Sequence, residues 1–246
     1  MLTHFVSRLR LNQLLLVYSI RWFVGTVRYW VLVKVLKRLR TLENFGPAVS
    51  QNTVTYNLTG LHDRAVQRSA LLIRPLSVLS ALAPVSTAKI LTVGPRTEGE
   101  LLYLFGHDFS SANVRGLDLI SYSPWIDLGD MHQMPYPDNS FDAVILGWVI
   151  AYSEQPEVAA REVIRVLKPD GVVAVGVEYR PTSREELMAL HQDHYVGART
   201  RPRIQTVEQI LAFFEPHVGQ RYFTHDVPPA LAAQPDNLMA IFSITK

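Results

Sequence analysis

Between residues 88 and 178 the sequence alternates short apolar runs with segments of helical spacing, and this alternation restricts the stretch to a mostly parallel sheet covered by helices on both faces. AKILTVG (88–94) is an apolar run stopped by Gly-Pro, and EGELLYLFGHDF behind it places Leu101, Leu104 and Phe105 on one helical face. NVRGLDLI (113–120) is a second strand ending at Asp118, and SFDAVILGWVI (140–150) is a third, entered through the turn residues PYPDNS. PEVAAREVIRVL (156–167) has helical spacing, KPDG breaks it, and GVVAVGVE is a fourth strand, almost wholly apolar. Asp118 and Asp130 are only a dozen residues apart, too few for a full helix plus strand, so that crossover is expected to be a loop, SYSPWIDLG.

In such sheets ligands sit beyond the carboxyl ends of the strands, where loop backbone groups and helix N-termini converge. Gly94, Asp118, Asp130 and Trp148 all fall there. A carboxylate after the second strand suits a ribose, because it accepts hydrogen bonds from two vicinal hydroxyls. Asp130 followed by Met131 offers an acceptor for an adenine amino group and an apolar cover for its ring. Each aspartate alone also fits a helix cap or a loop end; their order along the chain favours the ligand reading.

The run GDMHQMPYPDNSFDAVILGWVIAYSEQPEVAAREVIRVLKPDGVVAVGVE resembles the second half of the class I S-adenosylmethionine-dependent methyltransferases, in which an Asp precedes an LPFPDNSFD turn and E..RVLKPGG precedes the fifth strand. The resemblance spans residues 88–178 and implies a Rossmann-like α/β fold with a mostly parallel seven-stranded sheet. It implies S-adenosyl-L-methionine as cofactor, with Asp118 and Leu119 at the ribose, Asp130 and Met131 at the adenine, Trp148 beside them at the strand ends, and the first turn around the methionine moiety. That turn departs from the family's acidic-x-Gly-x-Gly-x-Gly. TVGPRTEG (92–99) keeps Gly94 and places Thr92, Arg96 and Glu98 at the other motif positions. Missing glycines remove the freedom for positive φ and close backbone approach, which Gly99 restores in part. Arg96 is then expected to pair with the methionine carboxylate and Glu98 with its ammonium, or the two pair with one another and close the pocket. A dinucleotide dehydrogenase fits less well, since GPRTEGE lacks the paired glycines that approach a pyrophosphate.

With no cysteine in 246 residues, disulfides, zinc-thiolate sites and thiol catalysis are excluded, and the eight histidines form no HExxH pattern, so no metal is expected. The net charge of +2 hides an asymmetry: residues 1–40 carry eight Lys/Arg and no Asp/Glu, against 16 basic and 22 acidic residues in the rest. This N-terminal segment is apolar along most of its length. As one helix, residues 11–33 are long enough to cross a bilayer, but Arg21 and Arg28 inside it would cost roughly 2.5–3.5 kcal/mol each. Arg10, Arg21 and Arg28 fall on one side of a helix, while Tyr18, Trp22, Tyr29 and Trp30 suit the headgroup region. The favoured reading is a helix, or a broken pair, lying in the interface of an anionic membrane. Lys34, Lys37, Arg38 and Arg40 add attraction to acidic lipid, and the protein is expected to be cytoplasmic and peripheral at the inner face. The rival is a helical extension packed on the catalytic domain or on a second subunit. A signal peptide lacks its small-residue cleavage site, and basic residues embedded among Leu and Val argue against nucleic acid.

Residues 43–60 are polar and read as a linker or a loop crossing the pocket, giving a membrane-association segment (1–42), a linker (43–60) and a methyltransferase-like domain (61–246). Residues 61–82 have helical spacing interrupted by Pro75. After the fourth strand, SREELMALHQDHYVG opens with a helix-start signature, TVEQILAFFEP is another helix with Thr206 as cap, and RYFTHDV and NLMAIFSITK are two terminal strands. Methyl transfer from a sulfonium is an in-line displacement, so the protein aligns the acceptor and removes its proton where necessary. Candidate bases are Tyr152, His132, Glu178, His191 and His194, although an unshifted tyrosine is a poor base at neutral pH. The expected function is methyl transfer to a small-molecule, lipid-linked or sugar-type acceptor at a membrane, with a homo-oligomer or a protein partner left open. The altered glycine turn keeps a second reading open, a non-catalytic scaffold or regulator in a membrane complex.

Overall fold

A computed structural model of the chain describes residues 11–49, 52–65, 69–190 and 197–246. Its helices and strands are, in chain order, α1 (Tyr18–Tyr29), β1 (Arg40–Thr41), α2 (Thr53–Thr59), α3 (Ala70–Leu76), β2 (Ile90–Val93), α4 (Gly99–Gly106), β3 (Val114–Asp118), β4 (Ile120–Ser121), β5 (Ile126–Leu128), β6 (Phe141–Gly147), α5 (Pro156–Val166), β7 (Leu167–Tyr179), α6 (Arg184–Leu190), α7 (Val207–Ala212), β8 (Val218–His225) and β9 (Asp236–Ile244). Seven strands form one sheet in the order β5-β3-β2-β6-β7-β9-β8. Neighbours from β5 to β7 run parallel, and β9 is inserted antiparallel between β7 and β8. This is the Rossmann-like methyltransferase architecture expected from the central stretch.

The apolar runs become central strands because successive side chains are buried on opposite faces. In β6, Val144 and Leu146 join a core with Ala160 and Val163 of α5 and Ile210 of α7. Ala143 and Ile145 join a second core with Leu101 and Leu104 of α4 and Leu72 of α3. The same alternation divides Val173 and Val175 from Val172 and Ala174 in β7. Each fully buried Val, Leu or Ile is worth about 1.5–3 kcal/mol, so a one-residue slip in any of these strands is excluded.

Three local expectations change. The connection expected to be only a loop contains a strand: β5 pairs in parallel with β3, Gly116 opposite Ile126. The helix is missing but the strand is not. Its short return is held by Ser121, whose Oγ donates to the Ile126 carbonyl (2.5 Å), and by β1 pairing antiparallel with β4. The KPDG breaker lies inside β7, where Asp170 takes a φ of 60° and the register with β6 shifts. The polar segment 43–60 carries α2, and Val49 bridges Ser153. The described part of the helix after β7 ends at Leu190, and His191 and His194 lie outside the described residues.

The N-terminal segment is a 3-10 turn (Leu11–Leu16), α1 and a π turn (Trp30–Val35). No described helix is long and apolar enough to cross a membrane. The arginine side of α1 faces the domain, not a headgroup layer. Arg21 is 2% exposed, donates to the carbonyls of Leu15 (2.6 Å), Leu16 (3.1 Å) and Ala65 (3.3 Å), and lies over the Tyr103 ring. Burial holds its pKa below the ordinary value, with the Tyr103 and Tyr18 rings opposing the shift. Arg28 stacks 3.9 Å from the Trp125 ring centroid and pairs with Glu98. The carbonyls of Leu15 and Leu16 in the segment itself, with the Ala65 carbonyl, two rings and a carboxylate of the domain, replace the water that these guanidinium groups lose, so the rival reading of α1, an extension packed on the domain, describes this face. Arg10 lies outside the described residues. The opposite side is apolar and open: Trp22 is 45% exposed, Phe23 63% and Trp30 59%.

Candidate active site

Because β2, β3, β5, β6 and β7 are parallel, their carboxyl ends gather on one side of the sheet, and two cavities open there. The first holds about 580 Å³ counting its open mouth. Gly94, Arg96, Leu119, Asp130, Met131 and His132 line it. Residues from β2, β3 and the loop after β5 are thus brought together in one wall. The second cavity, about 1080 Å³ on the same measure, is walled by Tyr56, Trp148, Ile150, Val177, Leu187 and Phe213 among others. Tyr152 lines both.

The turn after β2 is shaped by Gly94, which has a φ of 70° and would place a Cβ 2.3 Å from Val149 Cγ1. Only glycine fits. Arg96, at a second glycine position of the motif, also has a positive φ, 58°. Its backbone N–H donates to Asp118 Oδ2 at 2.7 Å, and its guanidinium runs against Gly60 and 5.2 Å from the Tyr56 ring centroid. Gly99 packs against the chain itself: a Cβ there would meet the Arg64 carbonyl oxygen at 2.6 Å, so its small size admits Arg64 and Ala65. The acidic group expected ahead of Gly94 arrives from behind it. Glu100, in the first turn of α4, accepts from the hydroxyls of Thr92 and Ser69.

Glu98 is not a wall of either cavity. Its fully buried carboxylate accepts two bonds from Arg28 (2.6 and 2.9 Å) and one from Ser123 Oγ (2.5 Å). Glu98 is thus paired with Arg28 and Ser123 and not with Arg96. Trp148, too, lies outside the wall of the first cavity. It lines the second cavity with a φ of 60°, and its Nε1 donates to Asn237 Oδ1 at 2.9 Å. Glu178 faces that cavity too, paired with Arg180 at 2.7 Å.

Asp118 lies directly behind the first cavity, 3% exposed, between the wall residues Leu117 and Leu119. Burial pushes its pKa up to about 6 although the N–H groups of Arg96 and Ile120 pull the other way. Asn57 of α2 donates to its Oδ1 at 3.3 Å. At Asp130, burial opposes ionisation, but bonds from His132 and the Gly46 N–H outweigh it and hold the carboxyl below its ordinary range. His132 Nδ1 is 2.6 Å from Asp130 Oδ1, and its Nε2 is 2.6 Å from Ser153 Oγ. Asn57, Thr53 and Ser153 carry no sequence signal, because α2 is hidden in a polar run and Ser153 is 21 residues from the histidine it bonds.

Two wall residues of the first cavity have buried polar atoms without a hydrogen-bond partner, Thr53 Oγ1 and Arg96 Nε. Leaving such a group unpaired costs about 1–3 kcal/mol. A ligand with a polar end beside the turn and a flat apolar part beside Met131 and Leu119 fits this wall, as S-adenosylmethionine does.

Residues 93–175 match a family model described as a methyltransferase domain. A demethylmenaquinone methyltransferase of Desulfitobacterium hafniense (strain Y51) is 35% identical over 92 residues, which is 35% of this chain and 36% of that protein. The chain spans about a third of the length of the curated relatives it matches. Among solved structures, an S-adenosylmethionine-dependent methyltransferase from Mesorhizobium loti superposes with a TM-score of 0.50 at 16% identity, covering 72% of this chain and 98% of that one. The trans-methyltransferase CalH, solved with S-adenosylhomocysteine, gives 0.54 at 16% identity over 71% of this chain and 56% of its own. Both likenesses speak for the fold. Residues 93–175 are thus similar to a methyltransferase domain, and the sheet order around them is that of the Rossmann-like methyltransferase fold.

Proposed function

We propose that the chain is an S-adenosylmethionine-dependent methyltransferase that takes its cofactor in the cavity beside Gly94 and a small, largely apolar ring acceptor in the cavity beside Trp148. The observation that carries this reading is the pair of cavities at the strand ends with Tyr152 as a common wall. When bound, the cofactor supplies a methyl group on a sulfonium. The chain's part is to bind, orient and keep water out. Asp118, ionised, accepts from ribose hydroxyls, Asp130 and Met131 take the adenine, and Arg96 meets the carboxylate end. Tyr56, Trp148 and Phe213 present aromatic surface to an acceptor ring. The curated relatives are named for demethylmenaquinone, and a quinone-type ring suits that lining. Isothermal titration with S-adenosylhomocysteine tests the cofactor half: micromolar binding supports it, and no binding by folded protein overturns it in favour of a scaffold. Turnover of reduced demethylmenaquinone in vesicles tests the acceptor class.

The same proposal places the protein at an anionic membrane surface. Trp22, Phe23 and Trp30 form an open apolar side of α1 and its extension, and Lys34, Lys37 and Arg38 are exposed next to it. Aromatic side chains insert at the headgroup level, and each nearby cation adds about 1 kcal/mol toward acidic lipid. Co-sedimentation with phosphatidylglycerol vesicles is expected for the wild type and lost in Trp22→Ser/Phe23→Ser/Trp30→Ser. Equal binding to both would rule this surface out.

A further inference from the structure

Asp130, His132 and Ser153 stand in line between the two cavities. Ionised Asp130 can only accept, so the bond to His132 Nδ1 fixes the proton on that nitrogen. Nε2 is then an acceptor, and the Ser153 hydroxyl donates to it. Ser153 Oγ in turn accepts from the Gln155 N–H at 2.9 Å, which leaves one lone pair on an oxygen of a residue lining the Trp148 cavity. His132 lines the Gly94 cavity. The order of donors and acceptors therefore points one way, from the acceptor cavity toward Asp130.

We propose that Ser153, His132 and Asp130 form a proton relay for an acceptor bound in the Trp148 cavity, which assigns that acceptor to compounds with an ionisable ring or enol hydroxyl. The inference rests on the methyltransferase reading and specifies the substrate of the same site. The acceptor O–H bond breaks toward Ser153 Oγ while the serine's own proton passes to His132 Nε2. The electron pair stays on the acceptor oxygen, where it serves methylation. His132 becomes an imidazolium beside the Asp130 carboxylate and releases its proton to solvent after turnover. Ser153 is the residue that touches substrate; His132 and Asp130 act through it. The other charged or titratable groups nearby are Tyr152 and Arg96 in the wall of the same cavity as His132, and Tyr56, Glu178, Arg180, Arg201 and Arg203 in the wall of the Trp148 cavity, where Arg180 pairs with Glu178 and Arg201 with Glu157. Glu154 follows Ser153, its carboxylate taken by the N–H groups of Arg199 and Thr200.

The test uses the full chain with S-adenosylhomocysteine bound and para-nitrophenol as the probe, because its ionised form absorbs visible light. In the wild type the phenolate band of the bound probe should appear about one pH unit below its position in water. His132→Gln and Ser153→Ala should each abolish that displacement while keeping a cooperative thermal transition. A wild type that leaves the probe's titration unchanged, or variants that displace it equally, would overturn the relay. So would failure of the loaded protein to take up the probe. Failure to bind S-adenosylhomocysteine would instead strike the methyltransferase reading, and the relay with it.

Discussion

Asp118→Asn separates the charge of the buried carboxyl from its shape. In the folded chain burial raises this group from an ordinary 3.8 to about 6. At roughly 1.4 kcal/mol for each tenfold change, ionising it in place costs about 3 kcal/mol more than in the unfolded chain. Since the folded value is the higher one, the folded state holds the proton more tightly. The stability this group contributes is complete below 3.8, declines as pH rises, and is gone once pH passes about 6. Asparagine keeps the neutral form's size and does not titrate. Its amide NH2 replaces one of the two carboxylate oxygens and so faces the N–H of either Arg96 or Ile120, a penalty that does not change with pH. Urea unfolding of both proteins between about pH 4.5 and 7.5 should show the variant gaining on the wild type by about 2 kcal/mol toward the alkaline end, the first ~1 kcal/mol having been lost below that window. A stability difference that stays flat across this range would refute the assignment of a desolvated carboxylate. The same charge is proposed to accept from ribose hydroxyls, so S-adenosylhomocysteine should bind the wild type more tightly above pH 6 than below it. The variant should bind it weakly at either pH.

Arg28→Ala leaves the buried Glu98 carboxylate without its bidentate partner. Discounted for the partly exposed arginine, a loss of about 2–3 kcal/mol is expected in urea, and adding Glu98→Gln should restore part of it; a double variant no more stable than the single would show that the pair carries no coupling. Trp148→Ala opens the cavity proposed for the acceptor and releases Asn237, so it should raise the acceptor KM and leave S-adenosylhomocysteine affinity as it was. Loss of that affinity would return Trp148 to the cofactor site.

What the sequence makes legible here is periodic. Val172 to Val177 could be read as a central strand because nearly every residue is apolar, and both faces are in fact buried. Gly94, Asp130 and Met131 could be placed in one cavity because parallel strands fix where their ends lie. β5 escaped because three residues, Ile126–Leu128, are too few to show a period and Pro124 stands just before them. α2 escaped because TVTYNLT is polar and β-branched, a poor helix by propensity that is formed over the cavity by its tertiary contacts. The side-chain pairs are the least legible of all. Arg28 and Glu98 are 70 residues apart and His132 and Ser153 are 21 apart, and only the folded chain brings either pair together.

The Arg28–Glu98 pair also changes what an N-terminal deletion can mean. Read from sequence, residues 1–40 form a separable membrane segment, and removing them should simply release the protein from lipid. In the folded chain the same residues hold the domain: Arg28 neutralises Glu98 at the entrance to α4, Arg21 covers Tyr103 one turn further on, and β1 secures the short return into β5. Deletion would strip a buried carboxylate of its partner beside the turn that carries Gly94 and Arg96. Loss of cofactor binding in such a truncation would therefore say nothing about membranes, and loss of membrane binding could follow from misfolding alone. The outward residues Trp22, Phe23 and Trp30 touch lipid in the proposed mode without supporting that bracket, so substitutions there separate the two roles. If they abolish vesicle binding while S-adenosylhomocysteine affinity and the unfolding midpoint hold, the N-terminal segment serves the domain on one side and the membrane on the other.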